Sequence, residues 1–245
     1  MDNYKFYVIN LARSKERWKD MLENYEGDQL VRIEGYDGKC MEKYNDIKYG
    51  THNARRRPDT QELGLGELGC CLSHIKAIKK AYDDGLDEVF IIEDDILNTY
   101  KNKWVFSLSE VIEKKPNGAE CITFFTNNLR LNEAFTKTSH LFSPRNNSVW
   151  STGVYYINRS GMKKICRLFV ENDIINLEKY KTVFIADHNL LYPYMNTYHY
   201  TNPTFIDKMQ DSIIQSSTHI ERIHLPNHNF LLQYFKSCQI YNKYT

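Results

Sequence analysis

Glu93, Asp94 and Asp95 stand side by side directly after the apolar run Val89, Phe90, Ile91 and Ile92. Adjacent carboxylates repel one another, so such a triplet marks either a solvated turn or a place where a cation binds. Residues two apart in an extended segment project to the same side, which lets Glu93 and Asp95 share one ion. Neither cysteine nor histidine adjoins them, and hard oxygen donors suit Mg²⁺ or Mn²⁺ better than zinc. Such an ion keeps waters and takes its remaining ligands from a substrate diphosphate. The residues alone leave both readings open.

The surrounding pattern predicts how the triplet is carried. "KFYVIN" (Lys5 to Asn10) reads as a first strand. A helix follows from an N-cap at Ser14 to about Tyr25, and "QLVRIEGYDGK" gives a second strand that ends in a turn at Asp37-Gly38. Residues Lys39 to Leu65 are polar and irregular. They include Arg55, Arg56 and Arg57 before Pro58, read as a solvated loop or an anion contact. From Glu67 a helix carries Leu68, Cys71, Leu72, Ile75, Ile78 and Tyr82 on one stripe, with Ser73 and His74 off it, and ends at Gly85.

The apolar run before the triplet is the next strand. Further on, residues 104–115 and 159–172 read as helices, and residues 120–126 and 147–158 as strands. Asp187 and His188 open a short helix. Strand, helix, strand predicts an α/β fold with a mainly parallel central sheet flanked by helices. In such sheets ligands bind beyond the carboxyl ends of the strands, where the triplet lies.

Composition narrows the function. The chain has 245 residues, 42% hydrophobic and 26% charged, as in ordinary globular proteins. A net charge of +1 argues against a dedicated nucleic-acid binder, which needs a basic face. Six cysteines without a CxxC pair read as reduced thiols. The first residues lack a leader pattern and no apolar run reaches the roughly 18 residues of a membrane span, so a soluble, cytoplasmic chain is expected. Without repeats or linkers, residues 1–245 read as a single domain.

The helix "GELGCCLSHIKAIKKA" followed by "VFIIEDD" resembles the signature of glycosyltransferase family 25, which contains lipopolysaccharide glycosyltransferases and collagen hydroxylysine galactosyltransferases. The matching positions are Gly66, Glu67, Gly69, Cys70, Ser73 and His74, then Glu93, Asp94 and Asp95. "VINLARSKERW", "IEGYDGK", "TGVYYINRSGMKKI", "FIADHNLLYPYM" and "QDSIIQSS" are similar to further family segments. Val154 between Gly153 and Tyr155, and Met162 in place of alanine, depart from the pattern.

The resemblance implies a GT-A-type, Rossmann-like domain with a donor-binding half at about 1–125 and an acceptor side at about 126–245. It implies an inverting, metal-dependent transfer of galactose or glucose from a UDP-sugar to a hydroxyl on a glycan, lipopolysaccharide or collagen-type hydroxylysine. Mn²⁺ or Mg²⁺ is then expected at Glu93 and Asp95, with Asp94 assisting and His219 or His188 as a third ligand. Asn10, Leu11, Arg13, Arg17, Asp37, Ser73, His74 and Asp94 are expected on the nucleotide sugar. Asp187 is the expected catalytic base, against an N-cap role. Two other readings are a catalytically silent sugar-binding protein on the same scaffold and a nucleotidyltransferase. The latter normally has a Gly-rich phosphate loop after its first strand, and "NLARSKERW" has no glycine.

Overall fold

The computed structural model describes residues 4–25, 29–56, 63–209 and 220–238. Strand β1 (Lys5–Asn10) is followed by helix α1 (Lys15–Asn24) and by β2 (Gln29–Glu34), which pairs parallel to β1 from Lys5↔Gln29 to Asn10↔Glu34. The short β3 (Ile47–Lys48) lies in the long connection to helix α2 (Leu65–Asp83). Gly85, at φ +75°, turns the chain after α2, a conformation that glycine takes without a side-chain clash. Strand β4 (Glu88–Glu93) then pairs parallel to the free edge of β1.

The second half adds β5 (Ile96–Leu97), α3 (Leu108–Glu113), β6 (Cys121–Thr123), α4 (Leu129–Phe135), β7 (Phe142–Pro144), β8 (Val154–Asn158) and α5 (Arg159–Phe169). After them come β9 (Val170–Glu171), β10 (Ile174–Asn176), β11 (Thr197–Tyr200), β12 (Ile206–Asp207) and α6 (Leu225–Ser237).

The main sheet has seven strands in the order β2-β1-β4-β8-β6-β11-β7. Only β8 and β7 run against their neighbours, so five of the seven share one direction, the mainly parallel α/β sheet that was expected. Alternation along β4 sends Val89 and Ile91 to one face and Phe90 and Ile92 to the other. Both faces are covered, which is why this strand reads as an unbroken apolar run. One layer packs Leu72, Ile75 and Ile78 of α2 and Ile165 of α5 on Tyr7, Ile91 and Tyr155. The other packs Met21 of α1, Leu108 of α3 and Phe235 of α6 on Phe6, Phe90 and Tyr156.

Several predicted boundaries shorten. The 104–115 helix begins only at Leu108, because Ser107 and Glu110 close a capping box there. The 120–126 strand is three residues of β6. The 147–158 strand starts at Val154, since Ser151 takes a left-handed φ of 103° and bends the chain ahead of it. The described residues of the 39–65 connection are irregular as expected apart from β3 and short turns, yet they are tied down: Asn53 is buried and donates to the carbonyls of Tyr180 and Thr182 at 2.7 and 3.0 Å. Arg57 and Pro58 lie outside the described residues. Among the described residues no helix is long and apolar enough to cross a membrane.

Helix α2 comes very close to the loop after β2. A Cβ on Gly69 would sit 2.6 Å from the carbonyl oxygen of Tyr36. Next to it, Ser73 donates to the Gly69 carbonyl at 2.6 Å and accepts from the Tyr36 amide at 2.8 Å. Alanine normally favours a helix over glycine by about 1 kcal/mol. Here Gly69→Ala should instead destabilise the fold by about 1–3 kcal/mol, the usual cost of overpacking, read as a lower midpoint in urea unfolding.

Candidate active site

The parallel register of β2, β1 and β4 brings Asn10, the loop carrying Asp37 and the Glu93–Asp95 triplet to one edge of the sheet. Asn10 is buried there. Its Nδ2 donates to Asp94 Oδ2 at 2.6 Å and to the Ser14 carbonyl at 3.0 Å, while its Oδ1 accepts from Arg32 Nε at 2.8 Å. Arg17, projecting from α1, places Nη1 3.0 Å from Asp94 Oδ1 and 3.3 Å from Asp95 Oδ2. Burial pushes the Asp94 carboxyl above its ordinary range, with Arg17 and Asn10 opposing it. Asp95 is pushed up to about 8 by burial, then by Glu93 and Asp94, with Arg17 pulling the other way and Asp207 adding to the rise.

Glu93 turns toward α2. Its Oε1 accepts from Thr152 Oγ1 at 2.7 Å and lies 3.2 Å from His74 Nε2. The other imidazole nitrogen, Nδ1, is 3.1 Å from the Tyr155 hydroxyl. Burial raises the Glu93 carboxyl, but the bonds from His74 and Thr152 outweigh it and hold the group below its usual range. Two neighbouring acids are therefore driven apart, one ionised and one inclined to keep its proton. Ser73 and His74 lie off the apolar stripe of α2 yet are both buried, serving as a clip to Tyr36 and as the partner of Glu93.

The remaining expected residues divide by position. Arg13 pairs with Asp37 at 2.5 Å near the surface; burial raises the Asp37 carboxyl, and Arg13 more than reverses it. The Leu11 carbonyl accepts from the Ser14 amide at 2.9 Å. Asp187 sits in one turn of π-helix, Ala186–Leu190, whose N-cap is Ile185, so it is not the capping residue. Its Oδ2 accepts from the Ser151 amide at 2.6 Å, and its carbonyl accepts from Arg145. Asp187 is thus bound by Ser151, whose chain neighbour Thr152 donates to Glu93. His188 is partly exposed, 3.9 Å from Asp187 Oδ1. His219 and the "QDSIIQSS" segment lie outside the described residues.

Four contributors were not foreseen: Ser151, Thr152, Tyr155 and Asp207. Strand β12 pairs antiparallel with β5, setting Asp207 opposite Ile96, and the Lys208 amide donates to the Asp95 carbonyl at 2.6 Å. Asp207 is itself flanked by His228 at 3.1 Å and His224 at 3.5 Å.

The family described as Glycosyltransferase family 25 (LPS biosynthesis protein) matches residues 3–179, which is 177 of the 245 residues. The chain belongs to that family. A procollagen galactosyltransferase 2 from Mus musculus is 29% identical over 173 residues, 66% of this chain and 27% of the relative. A glycosyltransferase 25 family member from Aedes aegypti is 26% identical over 194 residues, 74% of this chain and 31% of the relative. The chain thus matches about a quarter to a third of the length of these relatives. The crystal structure of a glycosyltransferase involved in the glycosylation of the major capsid of PBCV-1 covers 90% of this chain and 99% of its own, at 12% identity and a TM-score of 0.46.

In this family member the edge carries an excess of negative charge around Asp95. A carboxyl whose folded pKa lies near 8, against about 4 in the unfolded chain, contributes stability that is full below pH 4 and lost as pH rises through 8. Asp95→Asn removes that loss. In metal-free buffer the variant should melt above the wild type at about pH 9, by several degrees at roughly 2–4 °C per kcal/mol, with the gap closing toward about pH 5. Calorimetry at the two pH values checks it.

Proposed function

We propose that this chain is a metal-dependent, inverting hexosyltransferase of the GT-A type. On this reading it moves galactose or glucose from a UDP-sugar to a hydroxyl on a glycan, lipopolysaccharide or collagen-type hydroxylysine. The observation that carries the reading is the Asp94–Asp95 edge, which gathers carboxylates beyond the parallel strands beside Asn10, Arg17 and Asp37, with Asp187 on its α2 side. Residues 1–245 act as one domain, the part to about 125 serving the donor and the rest the acceptor.

The donor set suits a hard divalent ion such as Mn²⁺ or Mg²⁺. It is all oxygen, and burial, then the neighbouring carboxylates, push Asp95 up to about 8, favouring a proton that a cation would displace. Glu93, expected to share the ion with Asp95, faces His74 and Thr152 instead. Asp95 would hold the ion, with Asp94 braced behind it by Asn10 and Arg17 and Glu93 kept ionised by His74. When bound, the ion supplies Lewis-acid stabilisation of the charge that develops on the leaving diphosphate.

The chain's own residues do the rest. Arg13 and Asp37 flank the nucleotide side, where Asp37 accepts a hydrogen bond from a ribose or base donor. Asp187, oriented by the Ser151 amide, takes the proton of the acceptor hydroxyl as its oxygen bonds to the anomeric carbon and the UDP oxygen leaves with the bond's electron pair.

UDP release with UDP-galactose or UDP-glucose, Mn²⁺ and either a hydroxylysine peptide or a lipopolysaccharide core tests the reading. Asp187→Asn should lower turnover by ~10²–10⁴-fold and leave donor binding intact. Asp95→Asn should lower metal-dependent turnover on the order of 100-fold or more while the protein stays folded. Normal turnover in both variants, or no turnover and no donor binding in the wild type, overturns the proposal.

A further inference from the structure

Cys70 and His74 are one helical turn apart on α2, so their side chains leave the same face of the helix. That face meets the end of β4. The Cys70 sulfur, a His74 ring nitrogen and a Glu93 carboxylate oxygen all lie within 4.8 Å of one another, the one such trio of Cys, His, Asp or Glu among the described residues. A tetrahedral zinc ion with bonds of about 2.0–2.3 Å holds its ligand atoms roughly 3.3–3.8 Å apart. Contracting to that spacing takes side-chain movement of about 1 Å.

The surroundings resemble those of a built metal site. His74 Nε2 already faces Glu93, and the Tyr155 hydroxyl at Nδ1 fixes the ring, the role outer partners play for metal-bound histidines. Thr152 holds the Glu93 oxygen from the other side at 2.7 Å. His74 is fully buried, whereas Cys70 and Glu93 are partly exposed. Thiolate, imidazole and carboxylate together select zinc, while Mn²⁺ and Mg²⁺ prefer oxygen alone.

We propose that Cys70, His74 and Glu93 form a second cation site, selective for Zn²⁺ and distinct from the hard-metal position at Asp95. On binding, the Cys70 thiol gives its proton to solvent as the sulfur–zinc bond forms; the proton that His74 Nε2 shares with Glu93 is lost from Nε2 while Nδ1 takes one up beside the Tyr155 oxygen, and the freed Nε2 lone pair and the Glu93 oxygen bond to the ion. Because Glu93 adjoins Asp94 and Asp95, a dication bound to it offsets the negative charge beside the donor edge, weakens the hard-metal position there and inhibits transfer. That consequence rests on the transferase reading; the binding itself does not.

Co²⁺ titrated into the full, metal-stripped chain without nucleotide sugar is the test. The expected spectrum has a thiolate-to-cobalt charge-transfer band and intense d–d bands of tetrahedral cobalt, saturating at one equivalent. Stoichiometric Zn²⁺ should abolish both, and a large excess of Mn²⁺ should not. Cys70→Ser, nearly isosteric, should lose the charge-transfer band, whereas Cys40→Ser, Cys166→Ser and Cys238→Ser, at the other partly exposed thiols, should keep it. His74→Gln, checked for folding by circular dichroism, should weaken cobalt binding by at least about 10-fold. No band in the wild type, a band that survives Cys70→Ser, or displacement by Mn²⁺ overturns the site. A chain that shows the band and releases no UDP from any donor keeps the zinc site and overturns the transferase reading instead.

Discussion

Two carboxylates about 4 Å apart repel by roughly 4 kcal/mol at the effective dielectric of a protein surface, and β4 ends in three of them. The arrangement around that strand end can be read as the distribution of this repulsion. Glu93 is drawn to one side by His74 and Thr152. Asp94 is drawn to the other by Asn10 and Arg17. Asp95 shares the same guanidinium at a longer distance, and there burial and then the two neighbouring charges outweigh it and push its carboxyl up to about 8.

Helix α2 makes that distribution possible. Gly69 lets the helix lie against the Tyr36 carbonyl, and Ser73 locks the contact with two hydrogen bonds. The same turn aims His74 at Glu93 and brings Cys70 beside it. One close approach therefore sets both the loop that carries Asp37 and the imidazole that keeps Glu93 ionised. The sheet supplies the other half, since parallel pairing of β1 with β2 and β4 puts their carboxyl ends on one edge without any long connection having to reach across.

What could be read from the sequence follows from how local each signal is. The apolar run of β4, the stripe of α2 and the abrupt acidic stop were legible because each is contiguous or periodic. Thr152 was not, because it reaches Glu93 from 59 residues away across an antiparallel pair, and no local pattern names such a partner. The strand containing it was predicted to begin at Asn147; the left-handed backbone at Ser151 breaks it, and that bend is what frees the Ser151 amide for Asp187. Ser73 and His74 were legible as off-stripe residues but not as buried ones. Small residues at Gly69, Ala77 and Ala81 let α2 be covered on more than its apolar stripe. Asp207, with its two histidines, carries no periodic signal at all.

Asp207 and Asp95 make an instructive pair, because β5 and β12 place them on adjoining strand ends. Burial raises both carboxyls. At Asp207 two flanking imidazoles outweigh it and the group is held below its ordinary range. At Asp95 one guanidinium, already shared with Asp94, does not. Asp207 has been given its counter-charge by the fold, in two imidazoles; Asp95 has only a share of one guanidinium. That imbalance is the observation that supports the proposed cation at Asp95. Local conflicts of this kind persist where function needs them. On the proposed reading, the cost of leaving Asp95 with only a shared guanidinium is what a bound cation would recover, which would tie stability at this edge to occupancy of the site.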